Sequence, residues 1–391
     1  MITVKEALST IHSIEIPQTT TTISLADAIG YTLAEDIYSP ISMPPFRQSA
    51  MDGYAIAMSD TNTYSLIGEV QAGDNKNFIL EKGEAVRIFT GAKVPDTANA
   101  VIMQEQVDQQ EQNIHIQATY KEHQNIRALG EQIQKGNIAL HKGTLLTSAA
   151  IGFLSSLGFS TVNVYAPPSV AIVITGNELV VPGEQIEEGQ IFESNSPMLK
   201  SALQKAGIQG IKIYTVKDNY ESTLSHIEKA IKENDMVLIS GGISVGNYDF
   251  VKQALMDLHT KEVFYKIKQK PGKPLFFGMH QQTPVFALPG NPASSLTCFY
   301  MYALPLIQRY LGVPKIGLPR VSKTSKTAFS KKGDRAQFLK AFAQENQVEI
   351  LEGQSSAMLH TFAIANALIY IPEDKKEIRE GELVETIMLP V

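Results

Sequence analysis

The chain has 391 residues, of which 43% are hydrophobic and 19% are charged, and its net charge is −6. This length exceeds one ordinary domain and allows a sizeable core, so three or four compact units are expected. The acidic balance argues against a nucleic-acid-binding protein, in which Lys and Arg concentrate on one face. The single cysteine, Cys298, excludes a disulfide framework and a cysteine-based zinc site. It is expected to be a small core residue of a protein in the reducing cytoplasm.

The amino-terminal segment and the apolar runs of the chain argue against export and membrane insertion. Residues 1–14 contain Lys, Glu and His but no apolar signal-peptide core. No stretch approaches about 18 uninterrupted apolar residues. We therefore expect a soluble cytoplasmic protein without a membrane partner.

The first part of the chain is predicted to be helical and then β-rich. Apolar spacing predicts one short helix over Val4 to Ile11 and a second over Leu25 to Ile29. Between Pro40 and Gly143, Gly, Asp and Asn separate short strand-like runs, which is typical of an antiparallel β unit. These runs are YSLIGEV, AVRIFT, AVIMQEQV and NIHIQA. A predicted helix over Thr147 to Leu157 then leads to a domain boundary at Pro167-Pro168.

From Ser169 to Gly312, strand-like runs alternate with helical segments. This alternation predicts a mostly parallel, doubly wound sheet with helices on both faces and ligands at the carboxyl ends of its strands. The predicted strands are VAIVIT, IKIYTV, DMVLIS and TPVFAL. The predicted helices are PMLKSALQKAG, ESTLSHIEKAIKE, YDFVKQALMDL and PASSLTCFYMYALPLIQRYLG. After a linker from Pro314 to Pro319, short strands return and predict a small carboxyl-terminal β barrel or sandwich.

The most informative motif is the turn GGISVGNYD at residues 241–249, which follows the strand DMVLIS and precedes a predicted helix. Such a turn exposes unpaired N–H groups and binds anions, most often phosphate. Glycines at this kind of junction can also serve backbone geometry alone. The turn predicts a phosphorylated small-molecule ligand, with candidate contacts at Gly241, Gly242, Ser244 and Gly246.

The other predicted strand ends deliver polar groups to the same rim. Glu178 follows the first strand, Asp218 the second, and Asp249 closes the glycine-rich turn. Each has a simpler interpretation, since Glu178 can be solvated and either Asp can cap a helix. The segment 288–294 can be a plain turn, although Asn291-Pro292 would open a helix with its amides on this rim. Together these features favour a site in which the three carboxylates hold Mg²⁺ beside a phosphate.

A lysine cluster lies in YKIKQKPGKP, with Lys266, Lys268, Lys270 and Lys273. It is either a solvated strand face or an anion clamp, and we favour the clamp. On a strand, the first three lysines would lie on one side. Lysines for an oxyanion and carboxylates for Mg²⁺ describe a phosphoryl- or nucleotidyl-group enzyme. Neither a Ser/His/Asp arrangement nor histidines at metal-ligand spacing are apparent.

The segment MPPFRQSAMDGYA would be a surface loop by composition, but together with other motifs it resembles the molybdopterin molybdenumtransferase family, which includes MoeA and the gephyrin E domain. The resemblance extends from Met1 to Val391 in one order of motifs. After that segment come RIFTGAKVPDTANAVIMQE, NIRALGE, TGNELV, ESNSPML, SGGISVGNYDF, KPGKP and LPGNPAS.

The resemblance implies an α/β multidomain fold and the last step of molybdenum cofactor synthesis. Adenylyl-molybdopterin would be bound, and molybdate, the co-substrate, would be inserted with Mg²⁺-dependent release of AMP. The implied homodimer shares its active cleft between subunits, and the molybdopterin adenylyltransferase would be a further partner. Four domains are implied: a linking domain (1–46 with 138–167), a β-rich domain (47–137), a doubly wound molybdopterin-binding domain (168–312) and a β barrel (316–391).

The resemblance also implies residue roles. The catalytic groups would be Asp52 from the second chain, the Mg²⁺ ligands Glu178, Asp218 and Asp249, and the anion-binding Lys266, Lys270 and Lys273. The substrate contacts would be the four residues of the glycine-rich turn together with Ser49, Thr90, Pro289, Gly290, Asn291, Pro292, Ser294, Arg335 and Ser355 or Ser356.

The sequence departs from the family pattern at a few positions. Gln132 stands where the family usually has Asp, Asn247 replaces a common acidic residue, and His360 replaces a small hydroxyl residue. An amide cannot act as an anionic metal ligand or proton acceptor. Three alternatives therefore stay open: the adenylyltransferase of the preceding step, a slow cofactor carrier favoured by Gln132, and a clustering scaffold.

Overall fold

The structure, a computed structural model, describes residues 1–243 and 250–390. The chain divides into two compact units. One unit contains Met1–Thr22, Gly30–Ala34 and Asn163–Val391, and the other contains Ile23–Ile29 and Glu35–Val162. Within the described residues, no helix is both long and apolar enough to cross a membrane.

The chain begins with helix α1 (Val4–Ser13), as its apolar spacing predicts. A capping box starts this helix, because Thr3 Oγ1 accepts the Glu6 N–H while the Glu6 carboxylate accepts the Thr3 N–H. Strand β1 (Thr20–Ser24) follows. The second predicted helix is wrong, because only the 3₁₀ turn Leu25–Asp27 forms. Ile29, the last apolar residue of its pattern, is exposed and gains no burial by continuing a helix.

The unit made of Ile23–Ile29 and Glu35–Val162, called the 23–162 unit below, is built around a six-stranded sheet with the order β7-β4-β6-β5-β9-β8. Its elements are β2 (Ile37–Tyr38), β3 (Gln48–Ser49), β4 (Gly53–Ile56), β5 (Thr63–Val70), β6 (Glu84–Ile88), β7 (Ala100–Met103), β8 (Val107–Gln110), β9 (Asn113–Ile116), β10 (Ile126–Arg127), β11 (Ile138–Leu140) and helix α2 (Ser148–Ser156). The expected antiparallel pairing holds in this sheet except between β5 and β6, which are parallel. The long connection through residues 71–83 permits this crossover.

The doubly wound sheet has the order β16-β13-β17-β21-β20-β18, and its first four strands are parallel, which confirms the predicted fold. The two edge strands β20 and β18 are antiparallel. The elements of this region are β12 (Thr161–Tyr165), β13 (Val170–Thr175), β14 (Leu179–Val180), β15 (Ile191–Phe192), α3 (Asn195–Lys205), β16 (Ile211–Val216), α4 (Tyr220–Glu233), β17 (Met236–Ser240), α5 (Phe250–Asp257), β18 (Lys261–Tyr265), β19 (Gln269–Lys270), β20 (Phe276–His280), β21 (Thr283–Leu288), α6 (Pro292–Cys298) and α7 (Leu304–Tyr310). A π-helical segment, Phe299–Ala303, joins the last two helices.

Helices cover both faces of this sheet. Alternate residues of β13 point to opposite sides, so Val170 and Ile172 pack in the core that contains α3 and α6. Ala171 and Val173 pack in the core that contains α4 and α5. All six β13 residues are buried, as expected for a central parallel strand.

The carboxyl-terminal strands close into the predicted barrel. Each strand pairs with the next in the spatial order β24, β25, β22, β28 and β26, and β26 pairs with β24 to close the ring. The elements are β22 (Arg320–Ser325), β23 (Phe329–Ser330), β24 (Ala336–Gln344), β25 (Gln347–Ile350), α8 (Leu359–Ile364), β26 (Ala367–Ile371), β27 (Glu377–Ile378) and β28 (Leu383–Met388). Strand β19 lies parallel beside β24 and so joins this sheet.

The lysine segment does not form the single strand face that we predicted. Strand β18 ends at Tyr265, and Lys266 has a left-handed backbone with φ of 63°. The chain then leaves the doubly wound sheet and joins the barrel sheet at Gln269–Lys270. The expectation that Lys266, Lys268 and Lys270 share one side of a strand is therefore wrong.

Candidate functional site

A cavity of about 610 Å³ lies at the carboxyl ends of the parallel strands of the doubly wound sheet. The predicted site residues that line it come from four separate strand ends. They are Glu178, Asp218, Gly241, Gly242, Pro289, Gly290, Asn291 and Pro292. These predicted residues therefore lie around one cavity.

The glycine-rich turn approaches the end of β13 very closely. Gly241 has φ of 98°, and a Cβ atom there would lie 2.5 Å from the Thr175 carbonyl oxygen. Backbone geometry therefore requires glycine at this position, whatever the turn binds. Ser244, Gly246 and Asp249 lie outside the described residues, so their predicted contacts with phosphate and Mg²⁺ stay predictions.

Asp218 is held at the cavity by Asn177. The Asp218 N–H donates to Asn177 Oδ1 at 3.0 Å, and the Asn177 N–H donates to Asp218 Oδ2 at 3.4 Å. The neighbouring Asn219 caps α4, because its Oδ1 accepts the Ser222 N–H at 2.9 Å. The capping interpretation of Asp218 is therefore wrong, and its carboxylate belongs to the cavity lining.

Glu178 and Asp218 give the cavity two carboxylates whose oxygens suit a hard cation such as Mg²⁺. A third lining carboxylate, Glu193, is used locally, since its Oε1 accepts the N–H groups of Asn195 and Ser196 at the start of α3. Across residues 1–243 and 250–390, no three His, Cys, Asp or Glu side chains gather into a metal-binding group. Two of the three predicted ligands therefore share a cavity, and the role of the set stays a prediction.

Asn195 was missed as a site residue, although it lies within the motif ESNSPML. Its Nδ2 donates to Ser240 Oγ at 2.9 Å and to the Gly290 carbonyl oxygen at 2.7 Å. It thereby ties together the ends of β17 and β21 at the cavity. Only its place just after a glutamate that caps the helix could have drawn attention to it.

The barrel region contributes to the same cavity. Ala357 lines it, and Ser356 Oγ accepts a hydrogen bond of 3.1 Å from Asn291 Nδ2. Of the two serines considered, Ser356 therefore makes the contact to the cavity wall, while the Ser355 carbonyl oxygen accepts a hydrogen bond from Lys340.

The predicted anion-binding lysines, together with Arg335 and Ser294, lie outside the cavity lining. Lys270 and Lys273 are exposed, and Pro274, next to Lys273, does line the cavity. The Lys266 ammonium lies 4.7 Å from the centre of the Tyr265 ring. Arg335 donates to the Gln269 carbonyl oxygen, and the Ser294 side chain is buried inside α6. Their binding roles stay predictions.

A buried polar network, also missed from the sequence, holds the turn that carries Lys270 and Lys273. The Gln269 side chain donates to the Gly272 carbonyl oxygen and accepts from the Tyr302 hydroxyl. Cys298 Sγ lies 3.7 Å from the same carbonyl oxygen. Gln269, Cys298 and Tyr302 are fully buried, so Cys298 is the core residue predicted.

In the 23–162 unit, Asp52 and Thr90 form one exposed polar group. Asp52 Oδ1 accepts the Thr90 N–H at 2.7 Å. This bond first, then the Thr90 side chain and to a smaller extent Arg87, lower the pKa of Asp52. Ser49 differs, because it is buried and its hydroxyl donates to the Met51 carbonyl oxygen at 2.7 Å. Gln132, the family departure, is exposed.

The fold and cavity define a class of multidomain α/β proteins in which a doubly wound domain, with its site at the strand ends, is joined to a closed β barrel. Three family models match the chain: the MoeA N-terminal region (domain I and II) over residues 2–158, the probable molybdopterin binding domain over 171–309, and the MoeA C-terminal region (domain IV) over 324–389.

Known proteins match over the whole chain. A molybdopterin molybdenumtransferase of Haemophilus influenzae is 35% identical over 98% of each chain, and one of Staphylococcus epidermidis is 32% identical over 99% of this chain and 95% of that protein. A crystal structure of a molybdopterin biosynthesis MoeA protein from Pyrococcus horikosii covers 99% of each chain with a TM-score of 0.87 and 32% identity. The chain belongs to the molybdopterin molybdenumtransferase (MoeA) family, whose members are transferases.

Proposed function

We propose that this protein inserts molybdate into adenylyl-molybdopterin, with Mg²⁺-dependent release of AMP, to give molybdenum cofactor. The observation that carries the proposal is the convergence of Glu178, Asp218 and the glycine-rich turn on one cavity of a MoeA-family chain. A substrate with a phosphoanhydride and a co-substrate that is an oxyanion both require cations and N–H donors, which this edge of the sheet can supply.

In this proposal, Glu178 and Asp218, with Asp249, hold Mg²⁺, which would neutralise the phosphate charge that develops as the anhydride breaks. Lys266, Lys270 and Lys273 bind the anionic groups beside them. The residues Pro289 to Pro292, whose backbone is tied to Asn195, form a rigid wall against which the substrate is oriented.

We further propose a homodimer in which Asp52 and Thr90 of the partner subunit complete the cleft. Their exposure and their mutual hydrogen bond support this role, because an ionised carboxylate held by a backbone N–H can bind a cation or accept a proton in the cleft. The buried hydroxyl of Ser49 would act on this loop and not on substrate. Delivery of substrate by an adenylyltransferase and a cytoplasmic location stay predictions.

The test is hydrolysis of adenylyl-molybdopterin by the purified protein, measured as AMP released with Mg²⁺ and molybdate each added or omitted. Dependence on both supports the transferase. Binding without turnover would instead support the slow carrier that Gln132 favours. Absence of both binding and turnover would support the scaffold.

Two variants address the residues. Asp249→Ala and Asp52→Ala should each reduce turnover at least about a hundredfold, because each substitution removes a charged carboxylate from the proposed site. The fold should persist in both variants. If the cleft is shared, mixing the two inactive proteins should restore one working site in some mixed dimers. Unrestored activity despite demonstrated subunit exchange would contradict the shared cleft.

A further inference from the structure

Lys340 is a buried cation in the middle of β24, only 4% exposed. Its ammonium donates to the carbonyl oxygens of Gly353 at 2.7 Å, Ser355 at 3.2 Å and Met358 at 2.9 Å. No carboxylate among the described residues forms an ion pair with it. All three of its donor positions are therefore used on one short loop, residues 353–358.

A second anchor strengthens this attachment. The Lys340 N–H donates to Gln354 Oε1 at 2.9 Å, while Gln354 Nε2 donates back to the Lys340 carbonyl oxygen at 2.8 Å. Gln354 Nε2 also donates to the Leu351 carbonyl oxygen at 2.7 Å. The loop is thus fixed to the centre of one barrel strand through both the backbone and the side chain of a single residue.

Burying an ammonium group without a counter-ion is costly, and burial lowers the pKa of Lys340. An apolar side chain of similar volume would often be at least as stabilising at such a buried position. An apolar side chain could not, however, gather three carbonyl groups that point to one place. Holding the loop in place therefore explains this lysine better than a contribution to the stability of the fold does.

The loop is the part of the barrel region that contacts the cavity. Ser356 Oγ accepts the hydrogen bond from Asn291 Nδ2, and Ala357 lines the cavity directly. Lys340 itself does not line it. The contacts of the Lys340 ammonium therefore connect it to the cavity through the loop.

We infer that Lys340 is a positioning residue for substrate binding: it holds residues 353–358 so that Ser356 and Ala357 form one wall of the cavity. This inference rests on the proposed function. In this inference the wall contacts substrate equally before and during the chemical step, so loss of Lys340 weakens substrate binding and leaves the chemical step largely intact.

The main variant is Lys340→Met, which keeps the chain length and removes the three donors. We expect KM for adenylyl-molybdopterin to rise about tenfold with little change in kcat, and hydrogen exchange of residues 352–358 to become faster. The KM of Lys340→Arg should lie between that of the wild type and that of Lys340→Met. The control is Val384→Ala, in the barrel core and away from the loop, which should lower Tm without raising KM.

A double-mutant cycle with Ser356→Ala separates positioning from general stability. Because both residues act through one loop, the double variant should have nearly the KM of Lys340→Met alone. Additive effects, an unchanged KM, or unchanged exchange of residues 352–358 would each overturn the inference. If Lys340→Met does not fold, Gln354→Ala tests the second anchor with the same readouts. Wild-type protein without turnover would refute the proposed function, while the exchange measurement would still decide the role of Lys340.

Discussion

The Asp52 carboxylate and the backbone N–H of Thr90, 38 positions apart in sequence, are joined by a hydrogen bond of 2.7 Å. This bond favours the charged carboxylate and so lowers the pKa of Asp52. Because the folded pKa lies below the unfolded one, the bond stabilises the fold above the unfolded pKa. The stabilisation is lost as the pH falls through the folded pKa.

We predict that Asp52 titrates below its ordinary pKa of about 3.9. The measurement is an NMR titration of the carboxyl carbon, assigned with Asp52→Asn. In Thr90→Ala the pKa should rise part of the way but remain below the ordinary value, since the change removes the Thr90 side chain and keeps the main donor, the backbone N–H. An ordinary pKa in the wild type would show that the bond is not maintained in solution.

Asp218 has two asparagine neighbours, Asn177 in space and Asn219 in sequence, and their replacement should have different effects. Asn177→Ala removes the side chain that accepts the Asp218 N–H, so turnover should fall about tenfold, as for other groups that orient a ligand. Asn219→Ala removes only the cap of α4 and should cost about 1 kcal/mol in the free energy of unfolding with near-normal turnover. Denaturant unfolding and AMP release would be measured on both. Equal loss of turnover in the two variants would contradict the role assigned to Asn177.

Gly272 should tolerate no side chain. It has φ of 83°, and a Cβ there would lie 2.4 Å from Cys298 Sγ, so Gly272→Ala should cost about 2 to 4 kcal/mol of unfolding free energy. The control is Gly381→Ala, at φ of 81° with open space around it, which should cost only about 1 kcal/mol. Turnover should fall only in the first variant, because Lys270 and Lys273 flank Gly272. Matching stability losses would show that the turn is not packed against Cys298.

Cys298 should be unreactive in the native protein. It is fully buried, and burial raises the pKa of its thiol, so little thiolate forms at neutral pH. A thiol reagent should detect no reaction in native buffer and one equivalent per chain after denaturation. The residue count makes the result unambiguous, since Cys298 is the single cysteine. Rapid native labelling would mean that the core opens readily around α6.

The predictable part of the fold lies where the pattern is long and regular. The four predicted strands of the doubly wound domain became β13, β16, β17 and β21. Three of them, β13, β17 and β21, are almost fully buried apolar runs, which have few other ways to be buried between helices. The edge strand β16 is largely exposed and alternates apolar with polar residues. The helix predicted over Leu25 to Ile29 failed because its pattern is barely one turn long. The parallel pairing of β5 and β6 was not predictable, because pairing direction depends on a long connection.

The candidate site divides in the same way. Glu178, Asp218 and the residues of LPGNP could be predicted as site residues because they follow predicted strands, and the carboxyl ends of parallel strands meet at one edge of the sheet. No local pattern indicated Gln354 or Lys340, whose partners lie in a loop without periodicity, and only a weak one indicated Asn195, whose partners lie elsewhere in the chain.

By itself, then, the sequence determined the main repeating elements of the doubly wound domain and the residue types at their ends, because hydrophobic periodicity and turn chemistry act between neighbours. Only the tertiary structure decided that Asn219 caps α4 while Asp218 faces the cavity, that Lys266 leaves the strand, and that Ser356 reaches Asn291. Such choices are made by hydrogen bonds and packing between distant segments, whose geometry exists only after the chain has folded.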